Sequence, residues 1–492
     1  MRRFLILVAL SLAAVPAVEA HHTPGTRNKV ATLNMPVTTS SAKARDLFER
    51  GMVDYENMKM ERANIGWRAA AKEDPDFALA EAWVAFNSRD PQEASAAREK
   101  AKSLAAKVSP GERLMINWIA NVQEGNYING IAAMNDLLDM YPKDKRLYFL
   151  AANWLMGENG YQQAQRLLEQ SLAIDKDYPA ALNDLGYSYA KNRQFDQAFA
   201  TMERYIAALP GEPNPHDSYA EILRMAGNFD SALEHYRASL KVDPDFITSQ
   251  LGIADTYALM GDENRARAEY DKAIAAAHNP ADRLDYIMQT ALTWVREKNF
   301  DEADKLFLEV TNTAHNQELS LQEAQGFRRM AEYQPDDLKA LNSLDSAEAA
   351  LFHNATLSQA ERDEEMSRIL RYRVVRAGHA GKQELAGQAL FELQTMATGA
   401  RNLVIQSSYH GAAGAALMQA ENYLGAVSEL EEDRDEPESL QLLMRAYQQI
   451  GATDKEHEVE VRLRGTYLPT LEQALVVPAV KAQSSLTIRP TL

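Results

Sequence analysis

FDQAFATMERYIAALPGEP (Phe195–Pro213) and FDSALEHYRASLKVDPDF (Phe229–Phe246) are two versions of one pattern. Each opens on Phe, places Ala three residues later and a large apolar or aromatic residue four after that (Met202, Tyr236), and reaches Pro eight further on (Pro210, Pro244). Ala198 and Ala232 lie 34 residues apart, and the same step lands on Ala266 ahead and on Ala164 and Gly130 behind. Met134, Leu168, Met202, Tyr236 and Tyr270 hold a second phase; Pro142, Pro210 and Pro244 hold a third. A small residue recurs where two helices cross closely, and the large one fills the space beside it. Proline then ends the second helix, because it lacks an amide hydrogen and clashes with the preceding turn. The unit is a helix–turn–helix that cannot bury its apolar face alone and so stacks on its neighbours.

Leu185-Gly186-x-x-Tyr189 followed by Ala198, Met202 and Pro210 resembles the tetratricopeptide repeat, as do Ala254-x-x-Tyr257, Ala266 and Tyr270. Gly51, Ala63, Trp67, Ala70 and Pro75 make a first copy, with Asp54 where Tyr is usual and Tyr55 next to it. The resemblance implies an all-α fold, a right-handed superhelical solenoid of stacked antiparallel helix pairs. Repeats start near 44, 78, 111, 145, 179, 213, 247 and 284, which gives a solenoid over 44–317. Trp118 stands where a small residue is expected, so that helix is expected to shift or pack differently.

After residue 317 the register is lost but the helical texture persists, and 318–465 reads as a degenerate, tetratricopeptide-like helical region. An independent helical domain beginning near 320 is the rival reading. Residues 466–492, with Pro469, Pro478 and Pro490 and little charge, read as an extended tail. The acidic run from Glu429 to Glu436 reads as a solvated helix end and turn, and Gly411-Ala-Ala-Gly414 as a close helix crossing.

The N-terminus carries a different signal. Met1-Arg2-Arg3 is followed by the uncharged stretch FLILVALSLAAVPAV (Phe4–Val18) and then by Val18-Glu19-Ala20. This is the form of a secretory signal peptide cut after Ala20, so 1–20 is read as signal and 21–43 as an extended or disordered segment. The expected location is periplasmic or secreted. No later stretch reaches the roughly 20 apolar residues needed to span a bilayer, so no stable membrane insertion is expected.

The chain has 492 residues, 46% of them apolar and 25% charged, which fits a folded protein rather than bulk disorder. Its formal charge of −18 repels phosphate backbones and argues against nucleic-acid binding. With no cysteine it has no disulfides, thiolate metal sites or thiol catalysis.

In the resembled family the first helices of successive repeats line a concave groove that holds a peptide or a partner's segment. The groove positions are Arg146, Phe149, Asn153 and Met156, then Asn183, Tyr187 and Lys191, then Asn214, Asp217, Glu221 and Arg224, then Leu251 and Asp255. Amides among them can bond a peptide backbone and aromatics can take apolar side chains. Their mixed charges depart from the family's Lys, Asn and Arg clamp for a C-terminal carboxylate and suit a mixed or basic segment. The function expected is a non-catalytic scaffold for a protein or extended peptide, with no cofactor; self-association is a further reading. The alternative is an enzyme or a cofactor- or metal-binding protein, with its site in the C-terminal helical region or at His21 and His22, where a free amine and two imidazoles could chelate copper. The remaining histidines show no ligand spacing. There is no phosphate loop, dinucleotide fingerprint or nucleophile elbow.

Overall fold

The computed structural model describes residues 34–353 and 356–487, with side chains through 482. The signal-like segment, His21, His22 and the formal glycosylation acceptor at Asn354-Ala355 lie outside the described residues. Every element among those residues is helical. The helices come in antiparallel pairs: α1 (Ala42–Glu56) with α2 (Met60–Glu73), α3 (Ala78–Asn87) with α4 (Pro91–Leu104), α5 (Pro110–Gln123) with α6 (Tyr127–Met140), and α7 (Lys145–Gly157) with α8 (Tyr161–Ile174). Then follow α9 (Pro179–Lys191) with α10 (Phe195–Ala208), α11 (Asn214–Met225) with α12 (Phe229–Val242), α13 (Ile247–Met260) with α14 (Glu263–Ala276), and α15 (Pro280–Arg296) with α16 (Phe300–Asn316). Beyond them lie α17 (Ser320–Tyr333), α18 (Asp337–Leu351), α19 (Gln359–His379), α20 (Gln383–Gly399), α21 (Leu403–Gln419), α22 (Tyr423–Leu430), α23 (Pro437–Gln449), α24 (Thr453–Arg464) and α25 (Leu471–Thr487).

Local chemistry sets the ends of the helices. Ser109 caps α5 in a reciprocal box with Glu112, with Pro110 at the first helical position, and Asn279 caps α15 ahead of Pro280. Within a pair the turn is closed by one left-handed residue. Gly125, Asn159, Arg193, Gly227 and Gly261, each 34 after the last, have φ of 74°, 63°, 60°, 84° and 83°. The next amide reaches back five residues each time, as in Gly160 N–H to Leu155 O at 2.7 Å and Asn228 N–H to Leu223 O at 2.8 Å. That is the bond that satisfies the last free carbonyls of a helix.

The repeating small residues lie where the periodicity puts them. Ala164, Ala198, Ala232 and Ala266 are fully buried between helices, with Leu168, Met202, Tyr236 and Tyr270 beside them. A Cβ on Gly252 would lie 2.2 Å from the Tyr236 ring, so the close approach of α13 to α12 requires glycine there. Trp118 does not displace α5; it is buried in a regular helix with its ring 5.7 Å from Phe86.

The stack coils tightly enough to touch itself. Tyr55 of α1 lies against Phe149 of α7, and Lys59 pairs with Glu212 at 2.5 Å. Further along, contacts join residues 193 to 275 apart: Arg89 with Asp282 at 3.2 Å, and the Asn402 amide with the Tyr127 hydroxyl at 2.9 Å. Parts of the C-terminal half therefore lie against the earlier repeats, with α19 against α5 and α25 against α15.

Two expectations are corrected here. Residues 471–487 are helical, not extended: Leu471, Ala474, Val476, Val477 and Val480 bury a face against α15, α23 and α24 that outweighs the break made by Pro478. The acidic run is not solvated throughout either, although Glu432 and Asp435 are exposed. Asp433 is buried and accepts from Arg371 at 2.7 Å, and burial raises the Glu436 carboxyl to about 8. Part of the charge of 318–465, including Arg328, Glu332, Glu365, Arg371 and Asp433, faces inward because that half packs against other parts of the same chain.

Candidate functional site

The inner wall of α7, α9, α11 and α13 surrounds a cavity of about 380 Å³. Asn153, Asn183, Tyr187, Asn214, Asp217, Glu221, Arg224, Leu251 and Asp255 all line it, with Asp184, Met58 and Met156. They converge because one phase of the 34-residue pattern places them on the same face of successive first helices. Three other groove positions do not join them. Phe149 is buried between Tyr55 and Tyr178, and Arg146 is held by Glu49 at 3.0 Å and Glu56 at 2.6 Å. Lys191 lies beside Tyr161, at a second depression that Tyr467 also lines. The tight coil closes the groove at α1 and α7, so it is not one continuous channel.

Hydrogen bonds cross the wall from repeat to repeat. Tyr55 donates to Asn153 at 2.8 Å, and the Asn153 amide donates to Asp184 at 3.0 Å. Tyr187 donates to Glu221 at 2.8 Å, and Ser249 donates to Asp217 at 2.6 Å. Arg224, 2% exposed, reaches Asp255 at 2.6 Å and Glu221 at 3.0 Å, while Tyr270 donates to the other Asp255 oxygen at 2.5 Å. Burial opposes the Arg224 charge, but Tyr236, Asp255 and Glu221 outweigh it and its pKa rises. Among the described residues neither Asp184 nor Asp217 has an ion-pair partner. Burial pushes Asp184 up to about 6 despite the bonds from Asn153 and Asn183, and Asp217 up to about 7 despite that from Ser249.

Asp184 was not among the sequence-derived positions. Its spacing from Asn153 matches that of Arg224 from Asp255, which is the signal that finds it.

Asp217 gives a prediction. Its folded pKa lies above that of a free carboxyl, so the folded state binds more protons and stability falls as pH rises from about 4 to about 7. The groups facing it are Ser249, Glu221, Thr248 and Arg224. Asp217→Asn keeps an acceptor for Ser249 and removes the charge. Its thermal midpoint should exceed that of the wild type at pH 8, and the gap should shrink toward zero by pH 4; a gap independent of pH would contradict the burial.

Sequence spacing missed two histidine pairs. His216 and His235 approach at 3.1 Å between Nδ1 atoms, and the His315 and His353 rings lie 4.4 Å apart. Among the described residues no group of three or more His, Cys, Asp or Glu could hold a metal ion. The charges of the C-terminal half are largely partners of one another: Arg328 reaches Glu365 at 2.5 Å and Arg376 reaches Asp337 at 3.0 Å. No helix among the described residues is long and apolar enough to cross a membrane.

Comparison with known proteins agrees with this architecture. The tetratricopeptide repeat family model matches residues 155–222 and 223–289. Cellulose synthase operon protein C of Pseudomonas fluorescens is 27% identical over 177 residues, 33% of this chain and only 14% of that protein's length. Among solved structures, a tetratricopeptide repeat protein from Parabacteroides merdae aligns with 55% of this chain and 92% of its own, at 14% identity and a TM-score of 0.36. A thermophilic repeat protein from Thermus thermophilus aligns with 42% of this chain and 98% of its own, at 18% identity and a TM-score of 0.31. The matched residues 155–289 contain most of the cavity wall, so the middle of the chain is made of tetratricopeptide repeats, set within an all-α solenoid of helix pairs.

Proposed function

We propose that the chain is a non-catalytic scaffold that holds a partner protein or extended peptide in the cavity of its middle repeats, and that it works outside the cytoplasm. One observation carries the binding reading. Nine side chains from four successive first helices meet around one cavity, and Asn183 there keeps a carbonyl oxygen without a partner although the residue is only 4% exposed. A buried acceptor left unbonded is costly, and a donor supplied by a ligand repays that cost. Amides and acids on a rigid wall suit a polypeptide, whose backbone and side chains offer donors at regular spacing. The location rests on the basic start, the uncharged Phe4–Val18 and the small residues before His21.

The test is a photo-crosslinking residue at Leu251, on the cavity, and at Val242, exposed on the outer face of α12. Expressed in the native host, the Leu251 label should give a discrete protein adduct that the Val242 label does not. Identical adducts, or none, would overturn the scaffold reading. Mass spectrometry of the same material should find a chain starting at His21 in the extracytoplasmic fraction; an intact Met1 chain confined to the cytoplasm would overturn the location.

A further inference from the structure

We propose that the anchor taken by this cavity is the side chain of a lysine or arginine on an extended partner segment. The proposal rests on the scaffold reading and names the chemistry that the site selects.

The charges are unbalanced. Asp184, Asp217, Glu221 and Asp255 line the cavity against one cation, Arg224. Arg224 pairs through its terminal nitrogens with Asp255 and Glu221, leaving only its buried Nε without a partner among the described residues. Asp184 accepts only from the Asn153 and Asn183 amides, and Asp217, 7% exposed, accepts from Ser249. Neither buried carboxyl has a direct ion-pair partner among the described residues, an arrangement that is expensive unless something positive enters. The unpartnered oxygen of Asn183 adds an acceptor on the same wall. A site rich in acceptors calls for a donor-rich head group, and ammonium and guanidinium groups carry donors and no acceptor.

The shape selects a long side chain over a bare ion. Met58, Met156 and Leu251 bring apolar surface to the same cavity. Lysine and arginine stems lie along such surface while their heads reach polar groups. The acids do not form a group able to hold a metal ion. A volume of about 380 Å³ is at the small end of the ligand-pocket range, enough for one long side chain with its flanking backbone. The overall charge of −18 draws such a segment in from a distance, while the cavity decides where it docks.

The experiment uses the full chain on an array of acetylated decapeptides, random at nine positions and fixed at the centre as Lys, Arg, Gln or Glu. Retention should be at least five-fold higher for central Lys or Arg than for Gln, and lowest for Glu. Asp217→Asn should bring that preference below two-fold. Glu221→Gln, at a half-exposed position and keeping acceptors for Tyr187 and Arg224, should lower it in the same direction. Glu203→Gln, on the exposed face of α10, should leave it unchanged. Equal retention of Lys and Gln would overturn the cationic anchor, and so would a Lys preference that both cavity variants leave intact. Binding that the cavity variants weaken without any cationic preference would sink this proposal and leave the scaffold reading standing. Binding that no cavity variant alters, or no binding at all, would sink both.

Discussion

Arg371→Leu should lower the stability of the chain by about 3–5 kcal/mol, the loss measured when one member of a buried ion pair is removed. Arg371 reaches out of α19 to Asp433 at 2.7 Å and to the Ser439 hydroxyl at 2.9 Å, tying α19 to the turn after α22 and to the first turn of α23. The Asp433 side chain has no exposure, and without the arginine it keeps only the hydroxyls of Ser407 and Ser439. Its surroundings offer no relief, since burial already raises Glu436 to about 8 and Glu438 to about 7. Arg371→Leu combined with Asp433→Leu should recover most of the loss, because removing both charges removes the uncompensated one. Urea midpoints followed by far-ultraviolet circular dichroism read this out. A shift no larger than that of Arg50→Leu, whose side chain is 72% exposed, would show that the pair is not buried in solution.

Trp83→Ala should be comparably damaging, at about 3–5 kcal/mol for emptying a large aromatic site. Trp83 is 1% exposed, and its ring centroid lies 5.3 Å from Trp67, 5.5 Å from Tyr55 and 5.4 Å from Phe86. Those rings come from α1, α2 and α3, and Tyr55 carries the contact on to Phe149 of α7. Loss of the indole leaves a void that rigid rings cannot collapse to fill. The effect should travel, because the hydroxyl of Tyr55 orients Asn153, which bonds Asp184 in the cavity. The expected result is an earlier urea midpoint by tryptophan fluorescence together with weaker retention of any cavity ligand. A loss of less than about 1 kcal/mol would mean that Trp83 is not enclosed by the rings of α1, α2 and α3.

The sequence carried the helix pairs well and their closure poorly, for a physical reason. Ala198, Ala232 and Ala266 recur because adjacent helices cross closely, a short-range requirement written in every unit. The same phase brings ten of the thirteen groove positions to one cavity. Contacts between turns leave no such mark. Arg146 reads as a groove residue, but its partners Glu49 and Glu56 stand about 90 residues away and share no motif with it. Asp433 reads as a solvated acid because Arg371, 62 residues earlier, lies in a helix with many charges and no sign of which one turns inward. Pro478 argued against a helix by a local rule, and burial against α15 and α23 overrode it. Asp184 was legible in principle, through its spacing from Asn153, and is the acid that most sharpens the site.

The bond between Tyr127 and Asn402, with the Arg89 link to Asp282, has a bearing on how such a chain can change over time. An open string of repeats tolerates the gain or loss of a bead, since only one interface is remade. This chain is closer to a bracelet whose clasp fits one length. Adding or deleting 34 residues between the two sides of the clasp would swing Tyr127 past a different helix and leave Asn402 facing the wrong surface. Copy number is thus fixed by the clasp, and variation is confined to the identity of residues within each link.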